Sequence, residues 1–425
     1  VEENGELLCA YHGWRFDSKG DCKSIPQSSS AEREEQLTSN PASCAKVHPT
    51  QVEHGMIWAW GEPAAPGSDS ALIAATKQPQ LVEEIDDPEL KDKIVVLPLN
   101  SRDMPYGWDY FMENVNDPAH VVVSHHNVVG NRYTDPTHIK MPTRKSLTEI
   151  PVEEGGSYNP NFPGDKGLST FVENSNALGG DTEVSYQDFR PPCLHKIVTK
   201  NKDGSELILA LYATPTEPGF CRHIGRQILI KNKKNKLPKG LAFFAAPMPK
   251  WLLHILASAF LHQDAVFLHH QERMKMKQNY AFGRFPDSDP RSQQLKNDVS
   301  TYAKGMFVPD GHDKALLRFR RWLGREGQGG PLWGPDIPAT LPDVLPPDQL
   351  FDVYNSHVKD CRMCLTALKN IKRVKLLAIA LAAGLGTAAR FSKPWMVAGA
   401  AASAMVAFVS HNLMKLFHKY EFSHQ

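Results

Sequence analysis

Cysteine is sparse. Seven residues in 425 are spread widely and are odd in number, so no dense disulfide framework organises the chain. Neither sign of charge dominates. Lys and Arg number 48 against 47 Asp and Glu, a net charge of +1, which gives no reason to expect a nucleic-acid partner. An initiator methionine is also missing: the chain begins at Val1 and is expected to be a fragment or processed form, with any leader outside it. What is present is ordinary globular material, 41% hydrophobic and long enough for two or three domains.

The richest stretch is Glu113 to His125, ENVNDPAHVVVSH, with the pattern E-x-x-x-D-x-x-H-x-x-x-x-H. Two neutral imidazoles and a carboxylate from elsewhere make a facial triad, which leaves positions open at a non-haem Fe(II). On a straight helix His120 and His125 would stand about 140° apart. Both reach one metal only if the helix ends or distorts between them, and Asn127 and Gly130 suit such an ending. Asp117, three residues before His120, would lie beside that ligand on a helix and accept a hydrogen bond from it. The plainer alternative is a buried helix with satisfied histidines and a start at Asp117-Pro118.

Upstream, Cys9 and His12 form C-x-x-H within C-A-Y-H-G-W-R-F, followed by the turn Ser18-Lys19-Gly20 and then I-P-Q. A lone C-x-x-H carries little. In this company it is similar to the second ligand loop of a Rieske [2Fe–2S] domain, whose cluster has two Cys on one iron and two His on the other. That resemblance expects a first loop, C-x-H, before residue 1. Cys22 and Cys44 are expected to be structural or free thiols. A strand over Val47 to Trp60 closes this small β domain, and Glu62 to Gly67 is a Pro- and Gly-bearing break. Leu81 to Leu90 is acidic and reads as a surface connector. A new strand opens at Lys93 to Leu99, and further strands are expected at Thr182 to Phe189, Leu207 to Ala213 and His223 to Ile230. Between them Thr134 to Gly180 is loop-rich. This is the composition of an antiparallel sheet with helices on one side.

Trp251 to Met276 is strongly helical. Ala257, Phe260, Leu261, Asp264 and Leu268 share one face. A carboxylate in an apolar stripe is costly unless paired or bound to metal. Asp264 is therefore the candidate third ligand, Glu272 the alternative, and an unplaced Arg or Lys partner for Asp264 the competing explanation. His269 and His270 are expected to serve packing or polar contacts. Phe319 to Pro335 ends a basic helix at a Gly-Gly-Pro break, and Pro338 to Pro347 is a Pro-rich linker. His357, Cys361 and Cys364 then form H-x-x-x-C-x-x-C. No second C-x-x-C stands nearby, which favours a redox dithiol, or two unpaired thiols, over structural zinc. Leu376 to Ala389 and Pro394 to Ser410 are uncharged and dense in small residues. With Lys415 snorkelling, they read as a membrane hairpin turning at Arg390–Pro394; a buried helical pair is the alternative.

The C-x-x-H-G-W loop, the iron pattern, Asp264 in H-Q-D-A-V-F-L-H-H-Q-E, the C-x-x-C and the terminal hairpin stand in one order. Together the chain resembles a chloroplast Rieske-type oxygenase of the pheophorbide a oxygenase group, over nearly its whole length. The resemblance implies an α+β fold. A small all-β Rieske domain, incomplete here, would span 1–66, and a helix-grip antiparallel-sheet catalytic domain 67–337. A linker with the C-x-x-C (338–373) and a membrane-anchor hairpin (374–425) would follow. It implies that Cys9 and His12 ligate the cluster and that His120, His125 and Asp264 ligate a mononuclear Fe(II). Asp117 would bridge the cluster of one subunit to the iron of its neighbour in a ring-shaped homotrimer. Electrons would come from ferredoxin, and the substrate would be a tetrapyrrole, pheophorbide a being favoured for oxidative opening. Cys361 and Cys364 would be a redox-regulatory pair, with thioredoxin as partner, and the location a chloroplast membrane, inner envelope or thylakoid. The competing function is a membrane redox sensor or import component that keeps the fold.

Overall fold

A computed structural model describes the chain except residues 65–68, 78, 147–166, 176–180, 240, 242–247, 282–310, 328, 332–340, 389–392 and 422–425. Much of the loop-rich stretch expected over 134–180, part of the break at 62–67, parts of the two Pro-bearing runs around 335 and 340, and the expected hairpin turn lie outside the described residues. The described chain forms two compact units, Val1–Leu81 and Val82–Gln425.

In the first unit, β1 (Leu7–Leu8), β2 (Arg15–Phe16) and β3 (Cys22–Ser24) make a three-stranded antiparallel sheet. The helix α1 (Ala31–Thr38) follows, started by Ser30, whose side chain accepts from the Arg33 amide. The strand expected over Val47 to Trp60 is a hairpin of two, β4 (Thr50–Glu53) and β5 (Met56–Ala59). It turns at His54 and Gly55, both with positive φ. A short helix, α2 (Ser70–Thr76), completes the unit.

The second unit is built on one antiparallel sheet of eight strands. These are β6 (Ile94–Val96), β7 (Asn100–Met104), β8 (Thr143–Ser146), β9 (Leu168–Phe171), β10 (Thr182–Arg190), β11 (Leu194–Asn201), β12 (Glu206–Glu217) and β13 (Phe220–Ile230). The long strand β13 pairs with β12 along its whole length and carries β6 and β7 end to end on its other edge. The helices α3 (Trp108–Val115) and α4 (Val121–Ser124) connect β7 to β8. The 32-residue α5 (Lys250–Ala281) and α6 (Lys314–Arg325) come after the sheet. The core joins all of them. Tyr106, Phe111 and Met112 pack with Phe189, Ala213 and Cys221 of the sheet, Ala265 and Leu268 of α5, and Phe319, Trp322 and Leu323 of α6. This is an α+β fold, with helices gathered against one antiparallel sheet.

Two local expectations are refined. The acidic run Leu81 to Leu90 lies at the surface, with Asp86, Pro88 and Glu89 exposed, but two of its carboxylates are committed to the sheet. Glu83 accepts from Arg190 Nη1 at 2.8 Å and from Lys196 Nζ at 2.8 Å, and Glu84 accepts from Lys196 Nζ at 2.7 Å. Those cations are buried in the sheet, Arg190 4% and Lys196 1% exposed, so the carboxylates are their required counter-charges. The same pairing explains β11, an unexpected strand. Its sequence LHKIVTKN carries a lysine in mid-strand that only distant acids make tolerable there.

After α7 (Pro347–Leu350) and a π-helical turn at Tyr354–Val358 come α8 (Arg362–Ala388) and α9 (Pro394–Lys415). The last two pack antiparallel, with Lys375 Nζ 3.3 Å from His411 Nδ1 at one end and Leu385 against Gly399 further along. Their outer faces are apolar and open: Leu377, Leu381, Trp395, Met405 and Phe408 are each more than half exposed. Among the described residues α9 and α5 are long and apolar enough to cross a membrane. α5 is substantially buried in the core, whereas α9 has 11% of its apolar window buried.

Candidate metal centre

The sequence Asn116-Asp117-Pro118 stops α3. Asn116 turns its amide back onto Met112 O (2.7 Å), and its own carbonyl accepts from Gln187 Nε2 on β10 (3.1 Å). The end of α3 is thereby fixed to the sheet. After the break, α4 is four residues long, with His120 immediately before it and His125 immediately after it. The chain then reverses through Asn127 at φ +64°. A Cβ on Gly130 would meet Val122 at 2.9 Å, so only glycine lets the returning chain lie this close. A single helical turn separates the histidines and the backbone leaves the helix at His125 (φ −94°, ψ 37°), and their rings converge, 5.5 Å apart between centroids.

Asp264 comes from the middle of α5 to meet them. Its Oδ2 lies 3.3 Å from His125 Nε2 and 3.8 Å from His120 Nε2, and it accepts from Asn114 Nδ2 at 3.1 Å. One donor atom from each of the three residues lies within 4.8 Å of the others. The group is buried: His125 is fully covered, and the side chains of Asp264 and His120 are 7% and 16% exposed. No Arg or Lys pairs with Asp264 among the described residues.

The ring nitrogens show what the cluster suits. Gln263 Oε1 lies 3.0 Å from His125 Nδ1. A side-chain amide oxygen only accepts, so Nδ1 carries the proton and Nε2 presents a lone pair. That lone pair makes no hydrogen bond yet faces the Asp264 carboxylate. Two acceptors held together in a dry site call for a cation between them. Two imidazoles and one carboxylate, with the second ring nitrogen of His125 fixed by Gln263, fit Fe(II). The side chains themselves carry the same electrostatic imprint. Burial alone would depress His120, but the Asp264 and Asp117 carboxylates outweigh it and carry it up to about 9. Asp264 is held below its ordinary value despite its burial, chiefly by His120.

Asp117 stands at the edge of the cluster. Its Oδ1 accepts from the Ala119 amide at 2.8 Å, and its Oδ2 is 3.7 Å from His120 Nδ1. That is a charge contact and too long for a hydrogen bond. Glu272 is not with the group. Its carboxylate accepts from the Gly107 amide at the start of α3 and from Arg273, and burial and nearby Asp109 push it up. His269 is also accounted for. Nδ1 donates to Pro105 O, and Nε2 accepts from the Leu345 amide at 2.9 Å. His270 is exposed. Asn114 and Gln263 are additions to the sequence-based candidates. Gln263 neighbours Asp264 directly, and its burial inside an apolar helix is the signal that could have marked it.

In the first unit, Cys9 and His12 sit in the turn between β1 and β2, both exposed. Gly13 at φ +74° returns the chain, and its amide donates to Cys9 O. Backbone amides of Tyr11 and His12 directed at the Cys9 sulfur lower its pKa, as suits a thiolate ligand. Cys361 and Cys364 are elsewhere, around the start of α8, with His254 and His357 as neighbours.

Residues 1–41 match the Rieske [2Fe-2S] domain, and residues 189–280 match the pheophorbide a oxygenase family. Over 470 aligned positions the chain is 27% identical to the protochlorophyllide-dependent translocon component 52, chloroplastic, of Arabidopsis thaliana, covering 100% of this chain and 75% of that one. It is 28% identical over 434 positions to pheophorbide a oxygenase, chloroplastic, of Oryza sativa subsp. japonica, covering 98% and 72%. It is 26% identical over 452 positions to flavonoid 8-hydroxylase 2, chloroplastic, of Ocimum basilicum, covering 100% and 74%. A Rieske segment followed by a two-histidine, one-carboxylate centre on an antiparallel sheet and long helix defines a Rieske-type oxygenase, an enzyme that uses a [2Fe–2S] cluster and a mononuclear iron. Within that class, residues 189–280 match the pheophorbide a oxygenase family, and the chain is similar to that group's chloroplast members along nearly its whole length.

Proposed function

We propose that the protein oxygenates a chlorophyll-derived tetrapyrrole, pheophorbide a first among them, with electrons supplied by ferredoxin. The observation that carries this reading is the convergence of His120, His125 and Asp264 in a dry site within a chain similar to this group. These three residues are the proposed iron ligands, and Cys9 and His12 the chain's own ligands to the cluster. Bound iron supplies O2 activation, and the cluster delivers the electrons. The residues supply the rest. Gln263 fixes the His125 tautomer, Asn114 orients the Asp264 carboxylate, and Phe260, stacked 3.6 Å from the His125 ring, keeps water from it. Asp117 is assigned the bridging role between cluster and iron across subunits of a homotrimer, by the family arrangement.

The same reading places the protein on a chloroplast membrane through the α8–α9 hairpin. α9 has 22 residues, about 33 Å of helix, which matches a hydrocarbon core of about 30 Å. Lys369, Lys372, Arg373 and Lys375 on α8 and Lys415 on α9 gather at the end nearest the folded unit, as interfacial residues do.

The test supplies the complete polypeptide with ferredoxin, its reductase, NADPH and labelled O2. Pheophorbide a, protochlorophyllide and a flavonoid are offered in parallel, and products are read by mass spectrometry. One labelled oxygen entering pheophorbide a, with the other atom of O2 leaving as water, supports the proposal. Label in the flavonoid instead moves the substrate and keeps the enzyme class. A second reading, a membrane redox sensor or import component, is favoured by one observation: the relative named as a translocon component is as similar as the named oxygenase. Protein holding both metal centres but labelling no substrate would favour it.

A further inference from the structure

The pair Cys361 and Cys364 has two histidine neighbours that the function above does not use. The local run H-x-x-x-C-x-x-C provides His357, Cys361 and Cys364 from the π-helical turn and the start of α8. The fourth group, His254, comes from the first turns of α5, 107 positions before Cys361. We propose that these four residues form a closed tetrahedral Zn2+ site, separate from the iron centre, which clamps the C-terminal helical segment to α5.

The distances carry the argument. His254 Nδ1 lies 3.5 Å from Cys361 Sγ and 3.5 Å from Cys364 Sγ, and His357 Nε2 lies 3.3 Å from Cys364 Sγ. All four donor atoms fall within 4.8 Å of one another. A tetrahedral zinc with Zn–S of about 2.3 Å and Zn–N of about 2.05 Å sets N···S edges at about 3.6 Å and an S···S edge at about 3.8 Å. The observed N···S contacts are those edges to within a few tenths of an ångström. Hydrogen bonding explains them less well. His254 Nδ1 offers a single proton or a single lone pair, yet it faces two sulfurs at equal distance.

The surroundings are those of a structural metal. His357 Nδ1 lies 2.6 Å from Ser101 O. A carbonyl only accepts, so the proton is on Nδ1 and Nε2 points its lone pair at the sulfurs. Cys364 is fully buried, and His254 and His357 are 2% and 4% exposed. Ile255, Val353, Val358, Leu368 and Phe417 wall the group, and both sulfurs are free thiols rather than a disulfide. Two thiolates and two imidazoles select zinc over the harder divalent ions. With all four positions taken by protein, no place is left for substrate, so the role is structural. Binding replaces the two thiol protons, which leave to solvent, and the two thiolates balance the charge of Zn2+. Asp264 lies ten residues, about 15 Å, further along the same helix. The clamp therefore ties the C-terminal hairpin to the element that carries the proposed iron ligand.

The experiment is a metal inventory of the complete protein, purified without chelator, by mass spectrometry of the elements. One zinc per chain is expected in addition to iron. His120→Ala is expected to lose mononuclear iron and keep zinc, whereas Cys361→Ser and Cys364→Ser drop zinc from one per chain towards none. Loss of a buried ligand can unfold a chain, so the unaltered protein gives an independent reading. Titration with a mercurial reagent should release zinc to a chromophoric chelator from the unaltered protein and not from Cys361→Ser. Growth on cobalt should give the sulfur-to-cobalt charge-transfer and strong visible bands of a tetrahedral site. Folded protein with no zinc, no cobalt spectrum, and two thiols that react freely or close to a Cys361–Cys364 disulfide would overturn the proposal and leave a redox dithiol. Neither outcome bears on the iron centre, whose test reads labelled product.

Discussion

Replacing Gln263 by Leu probes the proposed iron centre without touching a ligand. Gln263 is 7% exposed, and its Oε1 is the acceptor that holds the proton on His125 Nδ1. Leucine has similar bulk, so the change opens no large cavity; it removes the acceptor at His125 and the Gln263 contact to Tyr420. The buried Nδ1–H is then unpaired, at a cost of about 1–3 kcal/mol. The ring escapes that cost by moving its proton to Nε2, the nitrogen that faces Asp264, and such a tautomer cannot bind metal there. Phe260 still holds the ring plane, so the loss should come from the tautomer and not from collapse of the site. Loss of such an outer partner typically weakens metal binding about 10–100-fold, or about 1.4–2.7 kcal/mol. Anaerobic titration with Fe(II) against a competing chelator measures it, with thermal unfolding as the control for an intact fold. Gln263→Glu keeps an acceptor and should stay near the parent. If Gln263→Leu binds iron within about twofold of the parent, the reasoning about the His125 tautomer is wrong.

Other substitutions test the frame around the centre. Arg320 is 2% exposed and is bonded to Asp109 and Glu113 of α3; Arg320→Ala should destabilise the protein by about 3 kcal/mol in denaturant unfolding, since it removes the buried cation these two carboxylates share. Burial would raise Glu83, but Arg190 and Lys196 together hold it well below the ordinary carboxylate range. Its contribution is therefore complete at neutral pH and is lost as pH falls through and below that range. With the side chain 32% exposed, Glu83→Gln should cost about 2 kcal/mol at pH 7, a partial-exposure discount on a buried pair. The cost should shrink at pH 3, and an equal gap at both values would refute the assignment. Asp117→Asn is expected to leave both metal centres loaded and to block electron transfer between them; normal reoxidation of the cluster in a single turnover would count against the bridging role.

What could be read from the chain divides along a physical line. The spacing of Asp117, His120 and His125 is local, and the demand that the helix end between the histidines follows from helical geometry alone. Asp264 was visible as a charge in an apolar stripe, because such a residue must have a partner. The outer groups were not. His254 looks like one more residue of a buried helix until the fold brings Cys361 and Cys364 against it, and the C-x-x-C taken by itself favours a dithiol. The role of the acidic run at Glu83 and the strand containing Lys196 are legible only together. Each hides the other: the strand looks too charged and the connector too acidic until the opposite charges meet on the two central strands β10 and β11. Local pattern encodes a group's need for a partner. Long-range topology decides which partner it finds.

The central claim is that His120, His125 and Asp264 hold one iron apart from the cluster. Diffraction from crystals of the complete protein, loaded anaerobically with Fe(II) and measured on both sides of the iron absorption edge, tests it most directly. The account predicts an anomalous peak between His120 Nε2, His125 Nε2 and the Asp264 carboxylate, absent in Asp264→Ala. Iron bound elsewhere, or no peak among these three residues in loaded crystals, would contradict it.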